Sequence, residues 1–324
     1  MRAVRVHQPG GAEALTFEEI PGPSPGAGEA LVRVAAAGVN FIDIYQREGR
    51  YPLPLPFTCG QEGAGTIAAL GEGAANSGLR VGERVAWAGP MGSYAELAAL
   101  PAERLVPLPG AISERDAAAV LLQGMTAHYL SHDTYPLGPD VWALIHAGAG
   151  GVGLLLTQVA KRLGARVITT VSTAEKEALS RAAGADHVVR YGERDFAAAV
   201  KDITAGAGVS VVYDSVGKTT FAGSLASLKP RGVLVLFGGS SGAVPPFDPM
   251  ELSRRGSLFL TRPTLAHYVA DRAALLDRAG VVFDWVASGR LRLRVDRTYH
   301  LAQAADAHRD LEGRRTAGKL LLTP

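Results

Sequence analysis

Residues 146–153 read His-Ala-Gly-Ala-Gly-Gly-Val-Gly, and this stretch decides the class of fold. Gly148, Gly150 and Gly153 satisfy the pattern G-x-G-x-x-G, between an apolar run and a stretch with helical periodicity. The first glycine of such a pattern allows a tight turn, the second lets a phosphate approach the backbone, and the third lets helix and strand pack closely. The amino terminus of the following helix favours negative charge. The stretch therefore predicts a strand, a dinucleotide-binding turn and a helix.

The glycine pattern alone is a weak signal in a chain with 39 glycines, so its surroundings carry the prediction. From about residue 115 onward, apolar runs alternate with helical stretches. Strands are expected at residues 140–146, 166–171, 187–191, 209–214, 232–238 and 257–261, and helices at 152–163, 175–183 and 193–204. Six strands in this rhythm are typical of a complete doubly wound parallel sheet, the Rossmann arrangement of the α/β class.

The first 110 residues have a different texture, with short apolar stretches that glycine and proline interrupt. Their spacing predicts an antiparallel, barrel-like β domain. Residues 21–29 and 51–57 are expected to be loops, because proline removes ladder donors and fixes φ. Beyond residue 261 the pattern predicts a helix over 268–288, a strand, a helix over 301–312 and a last strand.

These carboxyl-terminal residues exceed what the parallel sheet needs, so we expect them to return to the first domain. The predicted domains are residues 1–122 with 263–324, which form a substrate domain, and residues 123–262, which form a nucleotide-binding domain.

Composition excludes several classes of protein. Of 324 residues, 47% are apolar and 20% are charged, which is a globular composition rather than a disordered one. The net charge of +2 gives no field that would attract nucleic acid. The local arginine cluster is interpreted as a solvated strand face in preference to a polyanion site; it comprises Arg290, Arg292, Arg294 and Arg297.

No run approaches the roughly 18 apolar residues of a membrane span, and residues 1–11 resemble a strand rather than a signal peptide. We expect a soluble, cytoplasmic protein.

The end of the second strand of the predicted sheet bears on the type of dinucleotide. NAD enzymes usually place an acid there for the ribose hydroxyls, whereas this strand ends Thr170-Val171-Ser172-Thr173. Lys176 follows one helical turn later, where its ammonium group can meet a 2′-phosphate. An ordinary solvated lysine is the alternative, and Glu175 is an acid expected near a helix start for dipole reasons alone. The pattern favours NADP over NAD.

Two further loops are expected at the edge of the sheet that faces the cofactor. They are Asp214-Ser215-Val216-Gly217 after the fourth strand and Gly238-Gly239-Ser240-Ser241 after the fifth. Ligands of doubly wound sheets lie beyond the carboxyl ends of the strands, and small residues there let backbone reach the ligand. Plain turns remain the alternative for both loops.

Several motifs in order along the chain resemble those of a known family. They are Asn40-Phe41-Ile42-Asp43-Ile44-Tyr45 with Arg47, Gly49 and Tyr51, then Gln61-Glu62-Gly63-Ala64-Gly65, then His146–Gly153 with Gln158 and Lys161, then residues 213–217, 237–244 and 314–324. The chain resembles the zinc-free medium-chain dehydrogenases/reductases over essentially its whole length, and more narrowly the bacterial NADPH:quinone oxidoreductases related to zeta-crystallin. The resemblance implies a GroES-like substrate domain built from both chain ends around a Rossmann domain, and commonly a homodimer.

The residues also bear on metal binding. Zinc-dependent members of the superfamily carry a cysteine ligand near the position of Asn40 and a Gly-His-Glu motif, where this chain has Gly60-Gln61-Glu62. A catalytic zinc needs about three protein ligands. Cys59 has no companion thiol and is interpreted as a small buried hydrophobic residue. The eight histidines show no metal-ligand spacing, so no metal is expected.

The resemblance also implies roles for individual residues. Asn40, Tyr45 and Tyr51 would border the nicotinamide and the substrate, Arg262 would line the same cleft, and an aromatic lid over the β core is the alternative for the two tyrosines. The implied cofactor contacts are Asn40, Tyr45, Tyr129, Gly148, Gly150, Gly151, Val152, Gly153, Ser172, Lys176, Tyr191, Ser215, Phe237, Gly238, Ser240, Ser241 and Arg314. Ser172, Lys176, Tyr191 and Arg314 would surround the 2′-phosphate, for which a guanidinium is well suited; an exposed arginine pair, Arg314 with Arg315, is the alternative.

Three functions remain open from the sequence. The expected one is zinc-independent hydride transfer from NADPH to a quinone or similar conjugated carbonyl, with Asn40 and the tyrosine hydroxyls polarising an oxygen. The first alternative is an NADPH-dependent 2-enoyl or enone reductase. The second is a non-enzymatic NADPH-binding protein of the crystallin or RNA-binding kind, and the near-neutral charge and the lack of a basic aromatic stripe argue against RNA binding.

Overall fold

The computed structural model describes residues 1–324, which form two compact units. Unit 1 comprises residues 1–125 and 269–324, and unit 2 comprises residues 126–268. None of the helices combines the length and the hydrophobicity that a membrane span requires.

Sixteen strands account for the sheets of both units. They are β1 (Arg2–Val6), β2 (Leu15–Glu19), β3 (Glu29–Val39), β4 (Phe57–Thr58), β5 (Glu62–Leu70), β6 (Arg84–Ala88), β7 (Leu97–Pro101), β8 (Val106–Pro107), β9 (Trp142–Ile145), β10 (Arg166–Val171), β11 (His187–Arg190), β12 (Val209–Asp214), β13 (Leu228–Leu236), β14 (Phe259–Thr261), β15 (Val295–His300) and β16 (Lys319–Thr323).

Ten α-helices connect or cover these strands. They are α1 (Phe41–Arg47), α2 (Glu114–Tyr129), α3 (Gly151–Arg162), α4 (Ala174–Ala182), α5 (Phe196–Ile203), α6 (Phe221–Ser227), α7 (Met250–Arg254), α8 (Leu265–Tyr268), α9 (Arg272–Ala287) and α10 (Ala304–Glu312). Short 3₁₀ turns occur at Ala12–Ala14, Ala74–Ser77, Ala102–Arg104 and Leu301–Gln303, and a π-helical turn at Leu130–Thr134.

Unit 2 contains one six-stranded sheet with the order β11-β10-β9-β12-β13-β14, and every neighbouring pair is parallel. This order confirms the predicted doubly wound Rossmann arrangement. The central strands are apolar on both faces because helices cover both faces, and Leu144, Ile168, Val212 and Leu234 are fully buried.

Several predicted bounds in unit 2 differ from the structure. Helix α5 begins at Phe196 rather than 193, because the Asp195 side chain accepts a hydrogen bond from Ala198 N and caps the helix. Helices α6 and α7 were not predicted; α6 has the sequence Phe-Ala-Gly-Ser-Leu-Ala-Ser, whose glycine and serines are poor helix formers. Its formation depends on tertiary packing of Phe221 and Leu225 in the core.

Unit 1 contains a seven-stranded sheet, with the order β15-β16-β3-β5-β6-β8 and β7 paired with β3, and a three-stranded sheet of order β2-β1-β4. The expectation of an antiparallel domain is correct for every pair except β15 and β16, which are parallel. The chain between these two strands includes helix α10, and a crossover of this kind is what a parallel pair requires.

Two predictions for the carboxyl-terminal segment are wrong in detail. The helix predicted over 268–288 begins only at Arg272, where the Asp271 side chain accepts from Ala274 N. The strand that follows begins at Val295, so of the four clustered arginines only Arg297 lies on it. All four arginines are exposed, as predicted, and Arg297 also pairs with Asp310, with 2.8 Å between Nη1 and Oδ2.

A fully buried guanidinium joins three segments of unit 1. Arg47, the last residue of α1, donates to both carboxylate oxygens of Glu312 (2.7 and 3.1 Å) and to the carbonyl oxygen of Gly10 (3.1 Å). Its Nη1 also lies 3.2 Å from Nδ1 of His308. Removing one partner of a buried charged pair is far more costly than the pair's net contribution, because the other groups lose their hydrogen bonds.

We predict that Arg47→Met lowers the free energy of unfolding by about 3 kcal/mol, measured by urea denaturation. Arg181→Met is the control, since Arg181 pairs with Glu177 at an exposed position and its loss is expected to cost less than about 0.5 kcal/mol. Equal destabilisation by the two variants would contradict the structural role of Arg47.

Candidate functional site

The glycine-rich turn joins β9 to α3 at the carboxyl end of the central strands. A Cβ atom on Gly148 would lie 2.5 Å from Cβ of Thr169 in the neighbouring strand β10, and one on Gly153 would lie 2.2 Å from the carbonyl oxygen of Ala147. Neither position has room for a side chain. Gly153 therefore has the packing role expected of the third glycine, and Gly148 brings the turn against β10.

The start of α3 has the properties of an anion site. Gly150 is extended (φ −75°, ψ 172°) and the helix begins at Gly151, so the first amides of the helix, including those of Gly151 and Val152, have no intrahelical carbonyl acceptor. With the helix dipole, these amides suit a pyrophosphate. This cradle of small residues fits a dinucleotide at the position the sequence predicts.

Of the residues expected near a 2′-phosphate, Ser172 and Tyr191 lie at the ends of adjacent strands and Lys176 lies in the first turn of α4. Ser172 directly follows β10, and Thr173 caps α4, with its hydroxyl accepting from Lys176 N at 3.2 Å. Tyr191 follows β11 and its amide donates to the carbonyl oxygen of Val171, at the end of β10. The fourth, Arg314, follows α10 in unit 1 with φ +55°.

The two loops after β12 and β13 are joined to each other by backbone hydrogen bonds. Ser240 N donates to the carbonyl oxygen of Ser215 (3.1 Å), and Ser241 N to that of Val216 (2.9 Å). A Cβ atom on Gly238 would lie 2.5 Å from the Ser215 carbonyl oxygen, so the loops touch backbone to backbone. The two loops therefore form one structural element, in which residues 237–241 are joined to Ser215 and Val216.

The carboxylate of Asp214, at the end of β12, holds this element. Its Oδ1 accepts from the amides of Val216 (2.8 Å) and Gly217 (2.9 Å), and both oxygens accept from the Thr220 hydroxyl. Oδ2 also accepts from the Ser224 hydroxyl at 2.8 Å. Asp214 is fully buried, so these bonds replace the water that the carboxylate has lost.

His146 lies next to this carboxylate through Ser224. Its Nε2 is 3.0 Å from Ser224 Oγ, and its Nδ1 is 2.8 Å from Thr170 Oγ1. Burial lowers the pKa of His146 below its usual range, while the charge of Asp214 acts in the opposite direction. In the sequence, His146 is recognisable only as the first residue of the glycine-rich stretch, and no role follows from that position.

Two other predicted residues of unit 2 have structural contacts. Tyr129 is buried and stacks on Tyr268 with 4.1 Å between ring centroids. Arg262 follows β14, and its Nη1 donates to the carbonyl oxygens of Leu236 (3.0 Å) and Gly238 (2.5 Å). Arg262 therefore helps to fix the loop after β13.

In unit 1, Asn40 precedes α1 and its side-chain amide is fully hydrogen-bonded. Nδ2 donates to Glu62 Oε2 (2.8 Å) and to the Gly38 carbonyl oxygen (3.3 Å). Oδ1 accepts from Lys319 Nζ (2.8 Å) and Gln123 Nε2 (3.3 Å). An amide has two hydrogens to donate, and both have acceptors here.

Glu62 and Lys319 form a buried ion pair beside Asn40. Lys319 Nζ contacts the same Glu62 oxygen that accepts from Asn40, and the other oxygen accepts from Leu122 N at 2.7 Å. Glu62 and Lys319 both lie in motifs that carry the family resemblance, but the sequence assigns neither of them a role in the site. A Cβ atom on Gly38 would lie 2.4 Å from Glu62, so the pair also restricts that position.

The tyrosines expected near the substrate lie close together on and after α1. The ring centroids of Tyr45 and Tyr51 are 5.9 Å apart, and those of Phe41 and Tyr45 are 6.2 Å apart. The Arg50 guanidinium lies over the Tyr45 ring at 5.3 Å. Tyr45 is buried, whereas Tyr51 is 45% exposed, so Tyr51 presents an aromatic surface to its surroundings.

A second buried polar chain begins at Arg47, on the same helix as Tyr45. Arg47 Nη1 can only donate, so it donates to His308 Nδ1, and Nε2–H of that imidazole faces the Tyr94 hydroxyl at 3.2 Å. Tyr94 in turn donates to Asp43 Oδ2 at 3.0 Å. Burial, followed by the charge of Arg47, lowers the pKa of His308 to about 3.

Asp43 ends this chain and is fully buried. Oδ2 also accepts from Asn40 N at 2.8 Å, while Oδ1 has no hydrogen-bond partner. Burial raises the pKa of Asp43 from 3.8 to about 7, although the hydrogen bonds from Asn40 and Tyr94 and the charge of Lys319 lower it. The sequence assigns Asp43 no contact with substrate or cofactor, because its environment follows only from the burial of α1.

Cys59 lies in the core of unit 1 and is fully buried. Burial raises the pKa of the Cys59 thiol well above its usual range, so the residue has the environment of a hydrophobic side chain. No group of three or more histidine, cysteine, aspartate or glutamate side chains is placed to hold a metal ion.

Comparison with known proteins gives consistent matches. Residues 26–110 match the alcohol dehydrogenase GroES-like domain family, and residues 183–322 match the zinc-binding dehydrogenase family. The chain is 44% identical to a quinone oxidoreductase of Pseudomonas aeruginosa, over 97% of each chain. It is 41% identical to a 2-haloacrylate reductase of Burkholderia sp, over 99% of this chain and 98% of that one. The structure of Escherichia coli quinone oxidoreductase complexed with NADPH matches all of both chains, with a TM-score of 0.97 and 41% identity.

We predict that the stability of the protein falls as pH rises from about 4 to about 7 through Asp43. Within that window the folded state keeps a proton that the unfolded state has released, so unfolding becomes more favourable with each added pH unit, by up to roughly 4 kcal/mol in total. Asp43→Asn resembles the protonated acid and does not titrate. The difference in unfolding free energy between variant and wild type should therefore shift in favour of the variant between pH 5 and pH 8.

Urea denaturation at these two pH values checks the prediction, with Asp277→Asn, at an exposed position, as the control for removing one negative charge. A difference between Asp43→Asn and wild type that is the same at both pH values would contradict it.

Proposed function

Because this chain belongs to the quinone oxidoreductase family of zinc-free medium-chain dehydrogenases/reductases, we propose that it is an NADPH-dependent quinone oxidoreductase. The observation that carries the proposal is the glycine-rich cradle between β9 and α3, in a chain whose full-length relatives include a quinone oxidoreductase complexed with NADPH. When bound, NADPH supplies the hydride, and one hydride with one proton converts a quinone to a hydroquinone.

We assign the cofactor contacts as follows. The amides of Gly151 and Val152 bind the pyrophosphate, Gly150 lets it approach the backbone, and Gly148 and Gly153 allow the close packing of the turn that places these amides. Ser172, Lys176, Tyr191 and Arg314 bind the 2′-phosphate, and Tyr129 and the joined loops with Ser215, Phe237, Gly238, Ser240 and Ser241 contact the rest of the cofactor. Positive charge at Lys176 and Arg314 favours a phosphate over a ribose hydroxyl.

On the acceptor side we propose the hydroxyls of Tyr45 and Tyr51 as the groups that donate to an acceptor oxygen. The amide of Asn40 is less suited to donation, since both its hydrogens already have acceptors, and its role is to fix the start of α1 beside the nicotinamide and substrate. The aromatic surface of Tyr51 suits a flat acceptor. Arg262 remains a proposed contact of the same site.

Reduction of a conjugated alkene is the second candidate. It is favoured by the similarity to a 2-haloacrylate reductase, because a haloacrylate is an activated alkene conjugated to a carboxylate. Hydride addition to such a carbon–carbon double bond requires a proton donor for the neighbouring carbon. No particular observation favours the non-enzymatic alternatives.

We also propose that residues 1–122 with 263–324 are the substrate domain and 123–262 the NADP-binding domain, in a cytoplasmic homodimer. The dimer proposal is supported by strand β14, which is an edge of the six-stranded sheet and exposes 58% of Phe259. An exposed apolar edge strand is a template for pairing with another chain. A monomeric wild-type mass in light scattering would contradict it.

The assay that tests the activity follows the near-ultraviolet absorbance of NADPH, and in parallel of NADH, with a quinone in the presence of a chelator. Background oxidation without enzyme is subtracted, because quinones oxidise nicotinamides unaided. We expect rapid, chelator-resistant loss of NADPH with much less loss of NADH. Faster turnover of a haloacrylate or a linear enoyl thioester than of any quinone would favour the second candidate instead.

The same assay tests the phosphate site through Lys176→Ala. We expect kcat/KM with NADPH to fall about tenfold, equivalent to about 1.4 kcal/mol, while kcat/KM with NADH stays unchanged. Lys201→Ala is the matched control, since Lys201 is also half-buried on a helix of unit 2. Equal loss with both cofactors would remove Lys176 from the phosphate site.

A further inference from the structure

Four buried side chains at the carboxyl edge of the unit 2 sheet form a continuous hydrogen-bonded chain. In order, they are Thr170, His146, Ser224 and Asp214, which we name the His146 chain. None of the four is more than 2% exposed, and they come from β10, the end of β9, helix α6 and β12. The chain thus crosses the three strands at the centre of the sheet.

Each hydrogen bond in this chain can form in only one direction, from a fixed donor to a fixed acceptor. Ser224 has a single hydroxyl hydrogen and donates it to the Asp214 carboxylate, so its oxygen must accept from His146 Nε2–H. Neutral imidazole carries one N–H, so Nδ1 is then the acceptor and takes the hydroxyl hydrogen of Thr170. This fixes one tautomer of His146 and the orientation of its ring.

The chain ends on the group that holds the loops at the carboxyl edge. Asp214 accepts from the amides of Val216 and Gly217, and the loop after β13 is hydrogen-bonded to Ser215 and Val216. At its other end, the backbone carbonyl of Thr170 accepts from the amide of Gly148 in the glycine-rich turn (3.0 Å). The glycine-rich turn and both loops are therefore connected to one buried network.

We infer that His146 is a positioning residue for the dinucleotide, which through Ser224 fixes the Asp214 carboxylate and with it the loops 215–217 and 237–241. This inference rests on the proposed function, because it takes the ligand of these loops to be NADPH. His146 itself is buried beneath the turn and does not touch the ligand. The Ser224 hydroxyl accepts from His146 Nε2–H and donates to Asp214. Its removal therefore leaves the imidazole N–H without an acceptor and the Asp214 carboxylate with one hydrogen bond fewer.

The test measures NADPH binding by fluorescence titration, without an acceptor. Ser224→Ala and His146→Asn, which cannot reach Ser224, are each expected to raise the Kd about tenfold. His146→Gln places an amide N–H near the position of Nε2 and is expected to stay within about twofold of wild type. Ser227→Ala is the matched control, because Ser227 is equally buried on α6 but donates only to the Gly223 carbonyl oxygen.

Amide hydrogen exchange without NADPH gives a second readout. Ser224→Ala should speed exchange in residues 215–217 and 237–241 and leave helix α4 unchanged. In steady-state assays the KM for NADPH should rise while kcat and the KM for the quinone stay near wild type. Ser224→Cys, with a similar volume and a weak donor, is the milder variant should the alanine variant fail to fold.

Wild-type NADPH affinity in both Ser224→Ala and His146→Asn would overturn this inference and leave the proposed function standing. Equal weakening by Ser227→Ala, or no rescue by His146→Gln, would also overturn it, because the effect would then be a general loss of packing at α6 or β9. Failure of the wild type to bind NADPH would contradict the proposed function, and this role with it.

Discussion

The close approach of helix α3 to the ends of β9 and β10 is the constraint on which unit 2 depends. The approach is possible because Gly148 and Gly153 have no side chain. An added Cβ would lie only 2.5 Å from Cβ of Thr169 at Gly148, and 2.2 Å from the carbonyl oxygen of Ala147 at Gly153. The helix therefore begins directly at the end of a central strand, and its first amides face the edge where the strands end. The parallel order of the sheet brings the loops after β10, β12 and β13 to that same edge. This one local packing requirement thus determines where the protein can bind a negatively charged ligand.

Each unit also contains a directed chain of buried hydrogen bonds that includes a neutral histidine. In unit 2 the chain ends at Asp214, which is saturated with donors, and in unit 1 the chain through His308 ends at Asp43, which has one oxygen without a partner. This difference has a physical consequence. Satisfied networks rigidify their surroundings, whereas the poorly satisfied carboxyl of Asp43 retains its proton to an unusually high pH.

Much of this arrangement can be predicted from local sequence. Apolar runs and glycine spacing suffice for the six-stranded sheet and the turn, because a strand buried on both faces has a distinct composition. Tyr45 and Tyr51 are only six residues apart, so their proximity in the structure can also be predicted from the sequence. Contacts between distant residues are not predictable in this way: Lys319 reaches Asn40 across 279 positions and Glu62 across 257. The role of His146 was missed for the same reason, since its partner Ser224 lies 78 residues away. Helix α6 was missed because tertiary packing overrides its weak propensity.

A crystal structure of this protein with NADP⁺ bound tests the central claim most directly, since the account requires the dinucleotide to lie at the carboxyl edge of the unit 2 sheet. The account predicts the pyrophosphate about 3 Å from the amide nitrogens of Gly151 and Val152, with the 2′-phosphate beside Lys176. A pyrophosphate bound elsewhere, or a ribose held by the Glu175 carboxylate with its phosphate directed away from Lys176, would contradict it.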